Sequence, residues 1–165
     1  MQLGIRLHDT KKLPFEERIA DVSELGFKCG HLALAKVISE FPTTDEALTP
    51  GLAMYIKNVF AKNHVDIAVL GCYLNLANPN PEKLAQIKHR YMAHLRFASW
   101  LGCGVVGTET GAPNETYTHV PECHGEEAFQ TFITNLRPVV KYAEQMGVVV
   151  AIEPVLSHID RKSVV

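Results

Sequence analysis

No run of eighteen apolar residues occurs in this sequence, so nothing in it reads as a membrane-spanning helix. The opening MQLGIRLHD has neither a basic segment leading into an apolar stretch nor a small-residue cleavage site, and does not read as a secretory signal. Cysteine is scarce: Cys29, Cys72, Cys103 and Cys123 stand 43, 31 and 20 positions apart, with no CxxC pair. That spacing argues against a zinc knot or a disulfide framework and for a reducing compartment, so a cytoplasmic location is expected. A surplus of one charge is missing too. Sixteen Lys and Arg against eighteen Asp and Glu give a net charge of −2, a balance that supplies no field to gather nucleic acid or an anionic membrane surface. Nor is there a phosphate loop or a dinucleotide fingerprint: GCGVVG, residues 102–107, follows a helix and falls within a strand, so no nucleotide cofactor is expected.

What is present is ordinary globular composition, 47% hydrophobic and 21% charged, arranged as a regular alternation. At 165 residues the chain is long enough for one core burying roughly 70% of its unfolded surface. It is shorter than the roughly 250 residues of a closed eight-stranded (β/α) barrel. Strands are expected at Gln2–Leu7, Phe27–Leu34, Val65–Leu70, Cys103–Thr108 and Val148–Glu153. Between them, helical periodicity marks Pro14–Glu24, a helix capped by Thr49 ahead of Pro50, a long helix capped by Asn80 ahead of Pro81 and stopped by Gly102, and Glu126–Met146. Residues 35–48 are expected to be loop with at most one short helical turn. Pro138 removes an N–H inside the last helix, so a kink or two consecutive helices are expected there. The nearly continuous apolar run VVVAI suits a parallel strand covered on both faces. Helices between successive strands imply parallel pairing through right-handed crossovers, in one α/β domain over residues 1–165.

In parallel α/β folds ligands collect beyond the carboxyl ends of the strands, and this chain places polar residues there repeatedly. They are His8 and Asp9, His31, Tyr73 with Asn75, Thr108 with Glu109, and Glu153 followed by His158 and Asp160. Glu153 is the candidate metal ligand: alternation sets it on the face of Val149 and Ala151, and Pro154 keeps its backbone extended. A cation there would offset the cost of burying the carboxylate; the plainer reading is that Glu153 binds backbone donors or points into water. Glu109 is either a general base or polyol contact, or a loop acid held by peptide N–H groups. His8 and His31 are either substrate or metal contacts or hydrogen-bonded structural histidines. Tyr73 suits the wall of a sugar pocket with Asn75 hydrogen-bonding beside it, and a packed tyrosine and a loop-stabilising asparagine explain them equally. Cys72 has no activating neighbour in sequence and reads as a buried small side chain. The loop PNETYTHVPECHGEE brings Glu122, Cys123, His119 and His124 close in sequence, and reads as a solvated loop rather than a metal motif.

Five segments, in this order, carry a resemblance: LGIRLHD (3–9), ELGFKCGHL (24–32), LGCYLNLANPNPE (70–82), GVVGTETG (104–111) and above all GVVVAIEP (147–154). From Leu3 through His158 the chain resembles the sugar phosphate isomerase/epimerase superfamily with xylose isomerase-like TIM barrels. The resemblance implies a partial TIM barrel, (βα)4β, with five parallel strands and outer helices. It implies a divalent metal, Mn first with Mg, Co or Zn as substitutes, orienting adjacent oxygens of a small sugar, sugar phosphate or polyol during proton or hydride transfer. Glu153 matches the glutamate that commonly gives the first metal ligand, and Tyr73 and Asn75 match the sugar-facing end of the third strand. The alternatives within the resemblance are a metal-dependent dehydratase of inositol or sugar catabolism, or a non-catalytic binding remnant. LGCYLNL lacks the histidine that precedes this element in endonuclease IV-like members, which argues against their three-zinc chemistry. Strands six to eight, which carry the family's remaining ligands and acid/base groups, have no counterpart here. The chain by itself is therefore expected to be incomplete and inactive, with a homo-oligomer or a complementing chain covering the open barrel.

Overall fold

The computed structural model describes residues 2–160. Five strands alternate with helices: β1 Gly4–Arg6, α1 Phe15–Glu24, β2 Cys29–Leu32, α2 Leu34–Val37, α3 Pro50–Lys62, β3 Asp66–Gly71, α4 Pro81–Leu101, β4 Val105–Glu109, α5 Glu126–Met146 and β5 Val149–Glu153. Every strand pair is parallel, and the sheet order is β1-β2-β3-β4-β5, identical to chain order. That order decides the architecture. Right-handed crossovers that always step in the same direction put every helix on one face of the sheet, whereas a doubly wound sheet needs a reversal of strand order to place helices on both. The fold is thus a partial (βα) TIM barrel with one helix-covered face and one face without helices.

The covered face holds the core. Leu7, Leu32, Leu70 and Val106 are wholly buried beneath Phe15 and Ile19 of α1, Ile56 and Phe60 of α3, Tyr91, Leu95 and Phe97 of α4, and Phe132 and Val139 of α5. The helix ends are set by local chemistry. Thr49 Oγ1 accepts the Leu52 N–H at 3.2 Å, and Asn80 Oδ1 accepts the N–H groups of Glu82 and Lys83 at 3.1 and 3.2 Å. Gly102 and Gly147 close α4 and α5 at φ 75° and 66°, a region that glycine enters without a Cβ penalty. Among the described residues no helix is long and apolar enough to cross a membrane.

Several expected details are corrected. β1 stops at Arg6 because Leu7–Asp9 forms a 3₁₀ turn, and β2 stops at Leu32 because α2 begins two residues later. The segment expected as loop contains both α2 and a 3₁₀ turn at Asp45–Ala47. β3 carries a bulge: Gly30 pairs with Ile67 and His31 with Val69, so Ala68 has no opposite number. α5 runs unbroken through Pro138, which overturns the reading as two helices. Thr134, whose carbonyl the proline leaves free, is exposed along with Pro138, so water can serve that carbonyl. β5 is not covered on both faces. Val149 is 62% and Ile152 41% exposed, because β5 pairs only with β4 among the described strands and α5 shields little beyond Val148 and Val150.

Candidate functional site

The helix-free face ends, at the carboxyl side of the strands, in two polar groups. The first is built by β1, β2 and the residues just after β3. The His8 and His31 rings meet edge to face at 5.5 Å between centroids, and His31 meets Tyr73 at 5.6 Å. Tyr73 Oη lies 3.2 Å from His31 Nε2. Glycine makes room for this contact: a Cβ on Gly71 would come within 2.5 Å of His31 Nε2 and 2.7 Å of Tyr73, and one on Gly107 within 3.4 Å of Tyr73 Oη. Arg6 donates from Nη2 to His8 Nε2 at 2.8 Å and pairs with Asp9 at 3.3 Å. Burial, then the charges of His8, Arg6 and Lys36, hold the His31 pKa down at about 4. His31 is therefore a neutral imidazole at neutral pH, able to donate from one nitrogen and accept at the other. Burial first, then the carboxylates of Glu153 and Glu109, push the Tyr73 phenol above its ordinary value, so it remains a donor.

The second group sits on β4 and β5. Glu109 and Glu153 are register partners at the last pair of the two strands. Glu109 Oε2 accepts the Tyr117 hydroxyl at 3.1 Å and faces His158 Nδ1 at 3.4 Å. The Tyr117 and His158 rings stack at 4.6 Å and 20°. Tyr117 holds a positive φ of 56°, a strained conformation for an aromatic residue, of the kind that persists where surrounding contacts fix it. Burial and the neighbouring Glu109 raise the Tyr117 phenol pKa well above its usual range. Glu153 is exposed, and its carboxylate has no hydrogen bond or ion pair to another described residue.

His8, His31, Tyr73, Glu109 and Glu153 thus lie at one end of one sheet. Asn75 does not join them. Its side chain is buried and fully engaged: Nδ2 donates to the carbonyls of Ala112 and Asn114 at 2.8 Å each, and Oδ1 accepts from the N–H groups of Ala77 and Ala112 at 3.1 and 3.0 Å. It ties the β3–α4 loop to the β4–α5 loop and leaves no group for a sugar. Cys72 is buried beside it, and burial pushes its thiol far above a reactive range. His119 and His124 approach each other at 3.3 Å between Nε2 atoms on the exposed β4–α5 loop. Arg6 and Tyr117, which the sequence did not single out, contact the candidate residues His8 and Glu109. His158, noted only as a polar residue after β5, faces Glu109.

A metal needs converging donors, and among the described residues no three of His, Cys, Asp and Glu are grouped to hold one. Glu153 alone supplies at most two oxygens, fewer than Zn, Mg or Mn requires. The described residues therefore do not by themselves make a metal site.

Comparison with known proteins agrees with this geometry. The profile of the xylose isomerase-like TIM barrel matches residues 19–160. No curated protein sequence matches the chain significantly. Among solved structures, 3-keto-D-glucoside 4-epimerase from E. coli superposes with a TM-score of 0.72 at 14% identity, over 98% of this chain and 59% of that one. D-psicose 3-epimerase with D-tagatose from Clostridium cellulolyticum H10 gives 0.64 at 19% identity, over 91% and 51%. A xylose isomerase domain protein from Planctomyces limnophilus gives 0.66 at 13%, over 92% and 53%. The chain spans about half the length of the structures it resembles, and at these identities the likeness establishes the shared fold. With the profile match covering most of the sequence, the chain belongs to the xylose isomerase-like TIM-barrel family.

Proposed function

We propose that the chain contributes the β1–β5 side of a site that isomerises or epimerises a small sugar or polyol. The observation that carries this reading is the placing of Glu109 and Glu153 at the last paired positions of adjacent strands, at the same end of the sheet as the His31–Tyr73 pair. Shifting a proton between adjacent carbons of a sugar takes a positioned base and groups that hold the neighbouring hydroxyls. The neutral His31 and the protonated Tyr73 suit hydroxyl binding, and Arg6 fixes the orientation of His8 beside them. Glu109, held by Tyr117 and faced by His158, is a carboxylate of defined orientation. The Glu153 carboxylate has no such partner among the described residues and is placed to engage a ligand. Two of the similar structures bear the names of sugar epimerases, which agrees with this substrate class.

Glu153 is also the residue of this chain best placed to reach a divalent cation, with Mn as the expected ion, provided that further donors come from outside the described residues. Bound there, such an ion would polarise sugar oxygens. Because the described donors do not complete a metal site, we assign substrate holding and orientation to this chain and propose that efficient turnover by it alone does not occur. The test is Glu153→Gln, in the chain by itself and in a longer or complemented form. Divalent-metal affinity and turnover of the complemented form should both fall if Glu153 is a ligand. Unchanged metal affinity in the folded variant rejects the ligand role, and rapid metal-dependent epimerisation by the 165-residue chain as a monomer rejects the assignment of incomplete catalysis.

A further inference from the structure

Beside the sugar-directed site, between the β1–α1 and β2–α2 connections, lies a cavity of about 360 Å³ lined by His8, Lys12, Arg18, Lys36 and Glu40. Its volume falls within the roughly 300–1,000 Å³ of small-ligand pockets. Two of its lining residues carry buried polar nitrogens without a partner, Arg18 Nε and His8 Nδ1. Arg18 is only 5% exposed, and its guanidinium has no hydrogen bond or ion pair to another described residue. A buried donor left in this state is costly unless an acceptor compensates it. The one acid in the lining does not do so. The Glu40 carboxylate accepts the N–H of Phe15 on one oxygen and the N–H and hydroxyl of Ser39 on the other, and the Phe15 contact, chief among these, lowers its pKa.

The state of His8 follows from its other nitrogen. Arginine can only donate, so Nε2 accepts from Arg6. Burial, and then Arg6, lower the pKa of the ring, which leaves the neutral tautomer with its proton on Nδ1. That N–H is buried and has no acceptor among the described residues. Two orphan donors, Arg18 Nε–H and His8 Nδ1–H, therefore line one cavity with Lys12 and Lys36 beside them, and the one described acid in the lining, Glu40, is already engaged by Phe15 and Ser39.

From this we infer an oxyanion site in the cavity, formed by Arg18, His8, Lys12 and Lys36 and selective for phosphate, either free or as the terminal group of a phosphomonoester. A phosphate offers the several acceptor oxygens that an arginine fork, an imidazole N–H and two ammonium groups satisfy together. The site shares His8 with the first polar group, while Arg18, Lys12 and Lys36 belong neither to that group nor to the Glu109–Glu153 pair.

The experiment is calorimetric titration of the protein with inorganic phosphate at constant ionic strength, with sodium chloride as the control. Saturable one-to-one binding is expected, weakened roughly tenfold or more by Arg18→Met and by the double change Lys12→Gln/Lys36→Gln. The His8 Nδ1 resonance should shift on phosphate addition, and Glu153→Gln should leave the affinity unchanged. Lack of saturable phosphate binding overturns the inference. So does an affinity indifferent to the lysine changes together with an unmoved His8 resonance, a pair of readings that decides the matter even if the Arg18 variant fails to fold. Comparing a hexose 6-phosphate with inorganic phosphate separates the sources: tighter binding of the ester identifies a phosphomonoester site, and equal binding a site for free phosphate.

Discussion

Taking the protein from about pH 7 to about pH 4.5 protonates His31 in the unfolded chain but leaves most of it neutral in the folded one, and folding pays for that difference. The folded pKa is about 4 against an ordinary 6.5. Between these values the unfolded state binds more protons, so stability is complete above about pH 6.5 and is lost as the pH falls toward 4. A full shift of this size corresponds to about 2.4 kcal/mol over that pH interval. His31 is only half buried, and screening by solvent brings the expected contribution to about 1 kcal/mol. His31→Gln keeps a hydrogen-bonding partner for Tyr73 and removes the titration. Urea unfolding of both proteins across the interval isolates this one group, because the carboxylates and His8 titrate in both. The wild type should lose about 1 kcal/mol more than the variant on acidification, and the His31 ring proton should titrate near 4 by NMR. Titration near 6.5, or identical pH slopes for the two proteins, refutes the assignment of His31 as a half-buried neutral imidazole.

Gly71→Ala places a methyl group 2.5 Å from His31 Nε2. It should destabilise the fold by about 1–3 kcal/mol and, by opening the packing around the ring, move the His31 titration toward its ordinary value; a variant with an unaltered His31 pKa would show that the ring keeps its burial despite the added methyl. Asn75→Ala strands buried peptide groups at Ala77 and Ala112 and should cost about 2–4 kcal/mol. Amide exchange should accelerate across residues 110–118 in that variant, and unaltered exchange there would contradict the bracing role.

The helices were legible from sequence because their boundaries are written locally. Asn80 caps groups two and three residues on, and Gly102 and Gly147 act where they stand. Strand detail was less legible, since the Ala68 bulge depends on how β3 meets β2. The carboxyl-end positions of His8, His31, Tyr73, Glu109 and Glu153 could be read from alternation alone. What each side chain does there could not. Asn75 is decided by carbonyls 37 and 39 residues away, and the setting of Glu109 by Tyr117 and by His158, which lies beyond a whole helix. Nothing in the sequence marks out Arg18, and only the packed loops around it reveal its burial and its unpartnered Nε.

The coincidence of strand order with chain order also bears on synthesis. Each new strand needs only the strand before it as a template, and the intervening helix can settle on the pair as soon as both exist. Assembly can then proceed by accretion as the polypeptide leaves the ribosome, N-terminal units first. Among the described strands none has to wait for a distant partner, and this part of the wall can grow one stave at a time.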